Sequence, residues 1–524
     1  MTKITFMRKY VLLTISFSFI ASLLLSAQEP VDTQVMQKIR DEENNHSQIE
    51  MIAHNLTDVC GPRLTNSPGY RRSIQWITKT FKEWKLQNAG PEAWGEFGRG
   101  WNNDKSYLAI SKPYYHPIIA YPEAWTNSTA SLITAPLLLL DKMDSASIDK
   151  LGNVKGKIII LKPGKKELRS AAEAYSTRFE DTVLDKLPDT YMVSREEIES
   201  FVPYILKEYK AKLYLQAKGA LGLLSSSGFD RDGTVIVQGG PGYNKNYKPT
   251  LPELSVSRED YLLMERLLDD HKDVQVEMNV QNKFYNDDLT GYNVVGELAG
   301  TDPSLKTQVV MLGGHLDSWS SGTGATDNAA GCIVMMEAMR ILKTLGIQPK
   351  RTIRIALWGG EEQALYGSFG YVKKHFGDPK DMQLKAEQKN ISAYYNLDNG
   401  SGKIRGIFLQ NNESVRSIFK DWFAPFADLG ATGITSSNTG STDHISFDAV
   451  GIPAFQFIQD PLEYETRTHH SNMDTYDHLS MDDMKQAAII VAAFVYNTAV
   501  RSEMLPRKPL PKPERFVFDF DIPL

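Results

Sequence analysis

Five polar clusters stand out between Gly313 and His470 and the residues just after it. They are Gly313-Gly314-His315-Leu316-Asp317, Thr326-Asp327-Asn328-Ala329-Ala330-Gly331, Gly359-Gly360-Glu361-Glu362, Asn396-Leu397-Asp398 and His469-His470-Ser471-Asn472-Met473-Asp474-Thr475. Histidines and carboxylates in this proportion form the donor set that a pair of hydrolytic zinc ions requires. Zinc binds imidazole nitrogen and carboxylate oxygen, and in catalytic sites it leaves a position open for water. One carboxylate can bridge two ions roughly 3.5–4 Å apart, which then share a hydroxide nucleophile. A second carboxylate, off the metal, has to take the proton from that water. The adjacent Glu361 and Glu362 fit this division, one as base and one as ligand.

Taken singly, each cluster has a plainer reading. A Glu-Glu pair is usually a solvated surface feature, and a lone histidine such as His315 is more often a structural hydrogen bonder than a ligand. Asp327 could merely cap a helix. Asp398, before Asn399-Gly400, could be a turn residue. Position changes the weighting, because four of the clusters sit where strands end, and sites in open α/β sheets form at the carboxyl ends of strands. His46, His54, His116, His271, His375 and His478 have no such context and are read as ordinary.

The elements that must position these groups follow from periodicity. From Tyr292 onward, strands and helices alternate, the signature of an α/β sheet with covering helices. Strands are expected at Gln308–Gly313, Thr352–Trp358, Ser392–Leu397, Gly406–Leu409 and Ala454–Ile458. Helices are expected at Ala329–Leu345, from the second strand through Tyr371, and at Met481–Val500. Upstream, Val31–Trp84 reads as largely helical, broken by the loop Cys60-Gly61-Pro62-Arg63-Leu64. Between about Ile118 and Lys283 the texture is different. Short β-rich runs (Ala135–Leu140, Lys157–Leu161, Thr234–Val237), one helix over Val202–Lys218 and a charged segment, Lys165–Glu199, read as an inserted domain. The chain thus divides into a leader (1–27), an N-terminal part of the main domain (28–117), the insert (118–283), the main domain proper (284–505) and a proline-rich tail (506–524) that reads as extended.

The leader carries Lys3, Arg8 and Lys9, an apolar run over Val11–Leu25 and the small pair Ser26-Ala27. That is the pattern of a secretory signal peptide cleaved after Ala27, which makes the mature chain secreted or periplasmic, without stable membrane insertion. A single-pass anchor is the alternative, against which the run is short. Cleavage takes the net charge from −6 to about −9. An acidic balance of this kind excludes a nucleic-acid partner, which would need a basic face. The two cysteines, Cys60 and Cys332, make no disulfide framework; one bridge and two buried thiols are both open. A homodimer is likewise open.

The order of the motifs resembles that of the M28 metallopeptidases. His315–Gly370 is most similar to the carboxypeptidase Q branch, the plasma glutamate carboxypeptidase-like enzymes, and the insert resembles a protease-associated (PA) domain through Lys218-Gly219-Ala220-Leu221-Gly222. The resemblance implies the zinc-exopeptidase version of the α/β fold, a mixed sheet covered by helices (phosphorylase/hydrolase-like) with a β-rich insert. It implies two Zn2+ per chain, peptide substrates, and exopeptidase action as an aminopeptidase or a carboxypeptidase or dipeptidase. Carried over by motif, His315 and Asp398 bind one zinc, Glu362 and His470 the other, and Asp327 bridges the pair. Glu361 is the general base, and Asp317 orients His315. The bond between Asp327 and Asn328 is expected to be cis. His469 faces the substrate, Gly440 and Ser441 lie at the pocket wall, and His444 is either structural or part of that wall. Arg405, Arg467 and Lys403 lie in loops that could approach the site. Two alternatives on the same fold are a non-catalytic receptor-like protein and a glutaminyl-cyclase-like acyltransferase.

Overall fold

The computed structural model describes residues 29–162, 170, 172–184, 195–226 and 231–519, so the expected leader lies outside the described residues. Helices Thr33–His46, Ile49–His54 and Pro68–Glu83 come first. Ser67 caps the third by accepting from the Tyr70 amide, and Pro68 sits in its first turn, where a missing N–H costs nothing. The strand β1 (Gln87–Glu96) follows and forms one edge of an eight-stranded sheet. Its Gly90 and Pro91 hid it from a periodicity reading, and proline is tolerated there because the strand is an edge.

The chain then leaves this sheet and builds a second one. It uses β2 (Gly100–Lys112), β3 (His116–Pro117), β4 (Ala120–Pro122), β5 (Ile133–Leu140), β6 (Ile158–Leu161), β7 (Gly222–Ser225), β8 (Glu253–Val256) and β9 (Gln275–Tyr285). Leu108, Ile110, Leu137, Ile158, Val276 and Met278 give this sheet a core of its own. Because β2 pairs with β9 all the way from Gly100↔Tyr285, this second sheet starts at residue 100, ahead of the position 118 expected for the insert. The polar run Asn102–Ser106 concealed the first half of β2. Thr234–Val237 is not a strand; Ile236 makes an isolated bridge to Ser471 instead.

The first sheet resumes with β10 (Thr290–Leu298), β11 (Val309–His315), β12 (Thr352–Trp358), β13 (Ile391–Asn396), β14 (Ile404–Phe408), β15 (Gly433–Thr435) and β16 (Ala454–Gln459). The order is β1-β10-β12-β11-β13-β16-β14-β15. The four central strands β12, β11, β13 and β16 are parallel, while β1, β10 and the β14/β16 pair run antiparallel, so the sheet is mixed as expected. Both faces are covered. Val310, Leu312, Ile353, Ile355 and Tyr395 pack under helices Ala330–Thr344 and Met481–Val500. Val309, Met311, Trp358 and Tyr394 pack with Tyr371, Phe376 and Phe447 on the other face. The period-2 alternation within an all-apolar run is what a central strand buried on both faces produces. Among the described residues no helix is long and apolar enough to cross a membrane.

The tail has no regular structure from 506 to 519, and it is tied down along the surface. Arg507 donates to the carbonyls of Gly451, Gln388 and Ile391, and Phe516 stacks on Phe369 at 4.4 Å. Arg63, in the loop after the second helix, has a comparable role at the other end of the sheet. It is fully buried, and its guanidinium donates to the carbonyls of Leu316, Thr323, Leu56 and Gly324. It thereby pins the end of β11 to the loop that leads into Asp327. Arg63→Met would take the guanidinium from all four carbonyls; that of Gly324 keeps the Ala329 amide, while those of Leu316 and Thr323 lose the partner they have here, each costing about 1–3 kcal/mol. Urea unfolding should show a loss of at least about 3 kcal/mol; a loss under about 1 kcal/mol would mean the clamp is dispensable.

Candidate metal centre

The parallel strands all deliver their carboxyl ends to one edge, where a cavity of about 620 Å³ opens. His315 ends β11, Glu361 and Glu362 follow β12 after the Gly359-Gly360 turn, and Asp398 follows β13. Asp327 sits in a strap before helix Ala330–Thr344, and the Asp327–Asn328 peptide is cis. His469 and His470 arrive on the loop after β16. All the site residues expected from sequence line this cavity except Asp317, which lies behind its wall.

Asp327 is the centre of the arrangement. His315 Nε2 lies 3.2 Å from Asp327 Oδ1 and 3.2 Å from Asp398 Oδ1. His470 Nε2 lies 3.2 Å from Asp327 Oδ2 and 3.0 Å from Glu362 Oε2. Each oxygen of one buried carboxylate thus faces its own imidazole and its own second carboxylate. Glu361 stands to one side, with Oε2 4.0 Å from His315 Nε2. His469 is farther off, 3.8 Å from Asp327 Oδ2, and its ring lies against that of His470 with centroids 3.8 Å apart. These distances favour His470 over His469 as the donor that faces Glu362.

The electrostatics follow from burial and crowding. Burial alone would lower the His315 pKa, but Asp398 and Glu361, with hydrogen bonds to Asp317 and Asp327, outweigh it and hold it well above the usual imidazole value. His470 is likewise carried past burial to about 10, by Glu362 and Asp327. Burial pushes Glu361 well above the carboxylate range, and Glu362 to about 7 with help from the Asp327 charge. Asp327 goes the other way: the hydrogen bonds with His315 and His470 overcome its burial and keep it ionised. His469 is driven down to about 4 by burial and by the neighbouring His470, so it is a neutral imidazole.

The supporting groups differ in part from those expected. The nearest contact of His315 Nδ1 is the Asp317 backbone carbonyl at 3.0 Å, with the Asp317 carboxylate at 3.7 Å. That carboxylate instead accepts from the amides of Glu361 and Glu362 and from the Thr65 hydroxyl. It therefore shapes the glutamate turn more than the histidine. Asp474 accepts from the Thr326 and Asp327 amides and the Thr326 hydroxyl, fixing the strap that carries Asp327. His444 is buried and bound to Gln410 and the Thr439 carbonyl, which makes it structural. Cys60 and Cys332 are both free and buried; the Cys332 thiol donates to the His315 carbonyl at 3.0 Å, and burial pushes its pKa up to about 12. Arg405 is engaged by Asp460 and Asp181, and Arg467 lies over the Tyr175 ring, so neither they nor Lys403 line the cavity.

Residues 293–495 match the model of peptidase family M28. The chain thus carries a peptidase family M28 domain over that segment. Carboxypeptidase Q of Pongo abelii is 26% identical over 462 residues, 86% of this chain and 85% of that protein. Carboxypeptidase Q of Homo sapiens is 31% identical over 259 residues, 49% of this chain and 52% of the relative. Among solved structures, a peptidase M28 precursor from Shewanella amazonensis SB2B superposes with a TM-score of 0.66 at 21% identity, covering 91% of this chain and 98% of the other. BSAP, a zinc aminopeptidase from Bacillus subtilis, does so with a TM-score of 0.54 at 20% identity, covering 87% and 95%. At such identities the structural likeness speaks for the fold. The domain match makes the chain a peptidase, with peptides as its substrates.

The Asp317 contacts give a test of how this M28 site is held. Asp317→Asn turns one carboxylate oxygen into a donor that faces the Glu361 and Glu362 amides. Peptide hydrolysis should fall roughly 10–100-fold, the usual effect of losing such a support. The melting temperature should move little; an unchanged rate would remove Asp317 from the positioning of the glutamates.

Proposed function

We propose that the chain is an exported di-zinc exopeptidase that hydrolyses dipeptides or other short peptides from the amino end. The division of Asp327 carries the reading, one oxygen toward His315 and Asp398 and the other toward His470 and Glu362. The donor set suits zinc, which takes imidazole and carboxylate together. Two further observations support a cationic occupant. Glu362 Oε1 is buried without a hydrogen-bond partner, and the ligand atoms of His315, Asp327 and Glu362 all lie within 4.8 Å of one another. The first ion would be held by His315, Asp398 and Asp327, the second by Glu362, His470 and Asp327. When bound, the pair would supply Lewis acidity at the scissile carbonyl and lower the pKa of a water.

The remaining steps belong to the chain's own residues. Glu361 accepts the proton of the attacking water and returns it to the departing amine, which needs a carboxyl group free of the metal and close to it. The turn held by Asp317 keeps it there. His469, a neutral imidazole on the cavity wall, can donate to the developing oxyanion. Gly440 and Ser441 line the opposite part of the wall. Export rests on the charged and apolar pattern of residues 1–27.

The direction of attack follows from charge. A carboxypeptidase needs a lysine or arginine for the terminal carboxylate. Among the described residues lining the cavity there is none, whereas Glu465 stands half exposed beside His469 and can pair with an ammonium group. A free amino terminus is therefore the end recognised.

Metal analysis should find two zinc ions per chain, and chelation should abolish hydrolysis until zinc is restored. Glu361→Gln should lower kcat by about 10²–10⁴ while keeping both ions; loss of an ion from that variant would make Glu361 a ligand. An N-acetylated dipeptide should resist hydrolysis and a C-amidated one should be cleaved, and the reverse pattern would sink the proposed direction.

A further inference from the structure

The two histidines that face Asp327 are supported differently. His315 Nδ1 is held within the peptidase sheet, by the Asp317 carbonyl at 3.0 Å. His470 Nδ1 is met at 3.0 Å by the side-chain amide of Gln238, which belongs to the insert. The segment around Gln238 is fastened on both sides. Toward the His470 loop, the Val237 amide donates to the His470 carbonyl at 2.9 Å, Val235 donates to Asn472 Oδ1 at 2.7 Å, and Asn472 donates back to the Val235 and Gly233 carbonyls. Toward the second sheet, the Gln238 amide donates to Glu123 and the Ala124 amide donates to the Gln238 carbonyl. The strip 233–238 is therefore a strap between the insert's sheet and the loop that carries His470.

His470 needs such a strap. Its backbone φ of +58° lies in the left-handed region that non-glycine residues visit rarely and only where their surroundings hold them there. The Val237 bond holds that carbonyl, and Gln238 sets the rotation of the ring. With Nε2 aimed at Asp327 and Glu362, a metal-facing lone pair there requires the proton on Nδ1. The partner of Nδ1 must then be an acceptor. A glutamine amide supplies one by presenting its oxygen, since its two ends are sterically equivalent and their assignment follows the hydrogen-bond network.

We infer that Gln238 is a positioning residue for His470, so that the inserted domain completes the half of the metal centre formed by His470 and Glu362. This rests on the di-zinc reading above. Gln238 is exposed on the cavity wall, so its substitution should leave folding intact. Gln238→Met keeps the length of the side chain and removes the acceptor; Gln238→Glu keeps an acceptor for the Nδ1 proton. Zinc content would be followed during timed dialysis against a chelator, with melting temperatures measured alongside. Wild type should hold two ions. Gln238→Met should give up one of them about 10–100-fold more readily, with the other retained. Gln238→Glu should hold both as wild type does. Equal retention by Gln238→Met and wild type overturns the inference, as does release from Gln238→Glu as fast as from Gln238→Met. A wild type that binds fewer than two ions overturns the di-zinc reading, and this inference with it.

Discussion

The peptidase half of this structure is arranged around the cost of gathering carboxylates in one buried place. The Asp327 and Glu362 oxygens lie within 4.8 Å of each other, and Asp398 and Glu361 are close by. At an effective dielectric of about 20, each such pair repels by roughly 3–4 kcal/mol. A domain's net stability is only about 5–15 kcal/mol. Several of these pairs would consume it, and the two histidines cannot neutralise every carboxylate present. Protonation relieves part of that repulsion in the chain by itself, Glu361 and Glu362 being pushed up; the proposed cations would relieve it instead, and the surrounding contacts hold the groups in place. The Glu361 and Glu362 amides point at Asp317, the Thr326 and Asp327 amides at Asp474, and the Arg63 guanidinium locks the carbonyls that lead into both.

The sheet makes that concentration geometrically possible. Four parallel strands end side by side, so residues separated by more than eighty positions in sequence, such as His315 and Asp398, come within hydrogen-bond distance. Close packing beneath the site depends on glycines where no side chain fits. A Cβ on Gly331 would meet the Leu397 carbonyl at 2.2 Å, and one on Gly313 would meet the Ala356 carbonyl at 2.1 Å. The first lets helix Ala330–Thr344 press the Asp327 strap against the end of β13. The glycines in the motifs are thus packing requirements of the carboxylate–histidine cluster, and the acidic residues beside them depend on those contacts.

This division between local and distant determinants explains what could be read from the sequence. Strands β11, β12, β13 and β16 and the helix Met481–Val500 carry continuous apolar runs, and the acidic and histidine clusters follow them directly, so both the sheet and its donors were visible. β1 was not, since Gly90 and Pro91 break every strand pattern and the strand exists only because β10 offers an edge. The first half of β2 was hidden by its polar run, and its partner β9 lies some 170 residues away. The supports were the least legible part. Arg63 lies in a loop marked only by its glycine and proline, Asp474 near the end of a motif, and Gln238 in no motif at all. Each acts through a contact with a residue far away in the chain, and a single sequence holds no signal for such a contact.

The same reasoning bears on what the insert does. A domain added between β1 and β10 need only avoid the catalytic edge of the sheet. Here it reaches across that edge, and Trp125, Gln238, Pro241 and Tyr243 from the insert share one cavity wall with Trp319 and His470. Trp125 packs edge-on against Trp319 at 6.1 Å, and Trp319 against His470 at 6.0 Å. An aromatic contact of this kind contributes of order 1 kcal/mol beyond its buried area. The strap through Gln238 adds directional bonds to the same loop. A motion of the insert relative to the peptidase sheet would therefore strain the His470 loop before anything else in the centre, while the His315 side, braced by its own sheet, by Cys332 and by Arg63, would stay put. The asymmetry of the two histidines is thus a consequence of chain topology: one half of the cluster around Asp327 is built by a single folding unit, and the other lies on the seam between two.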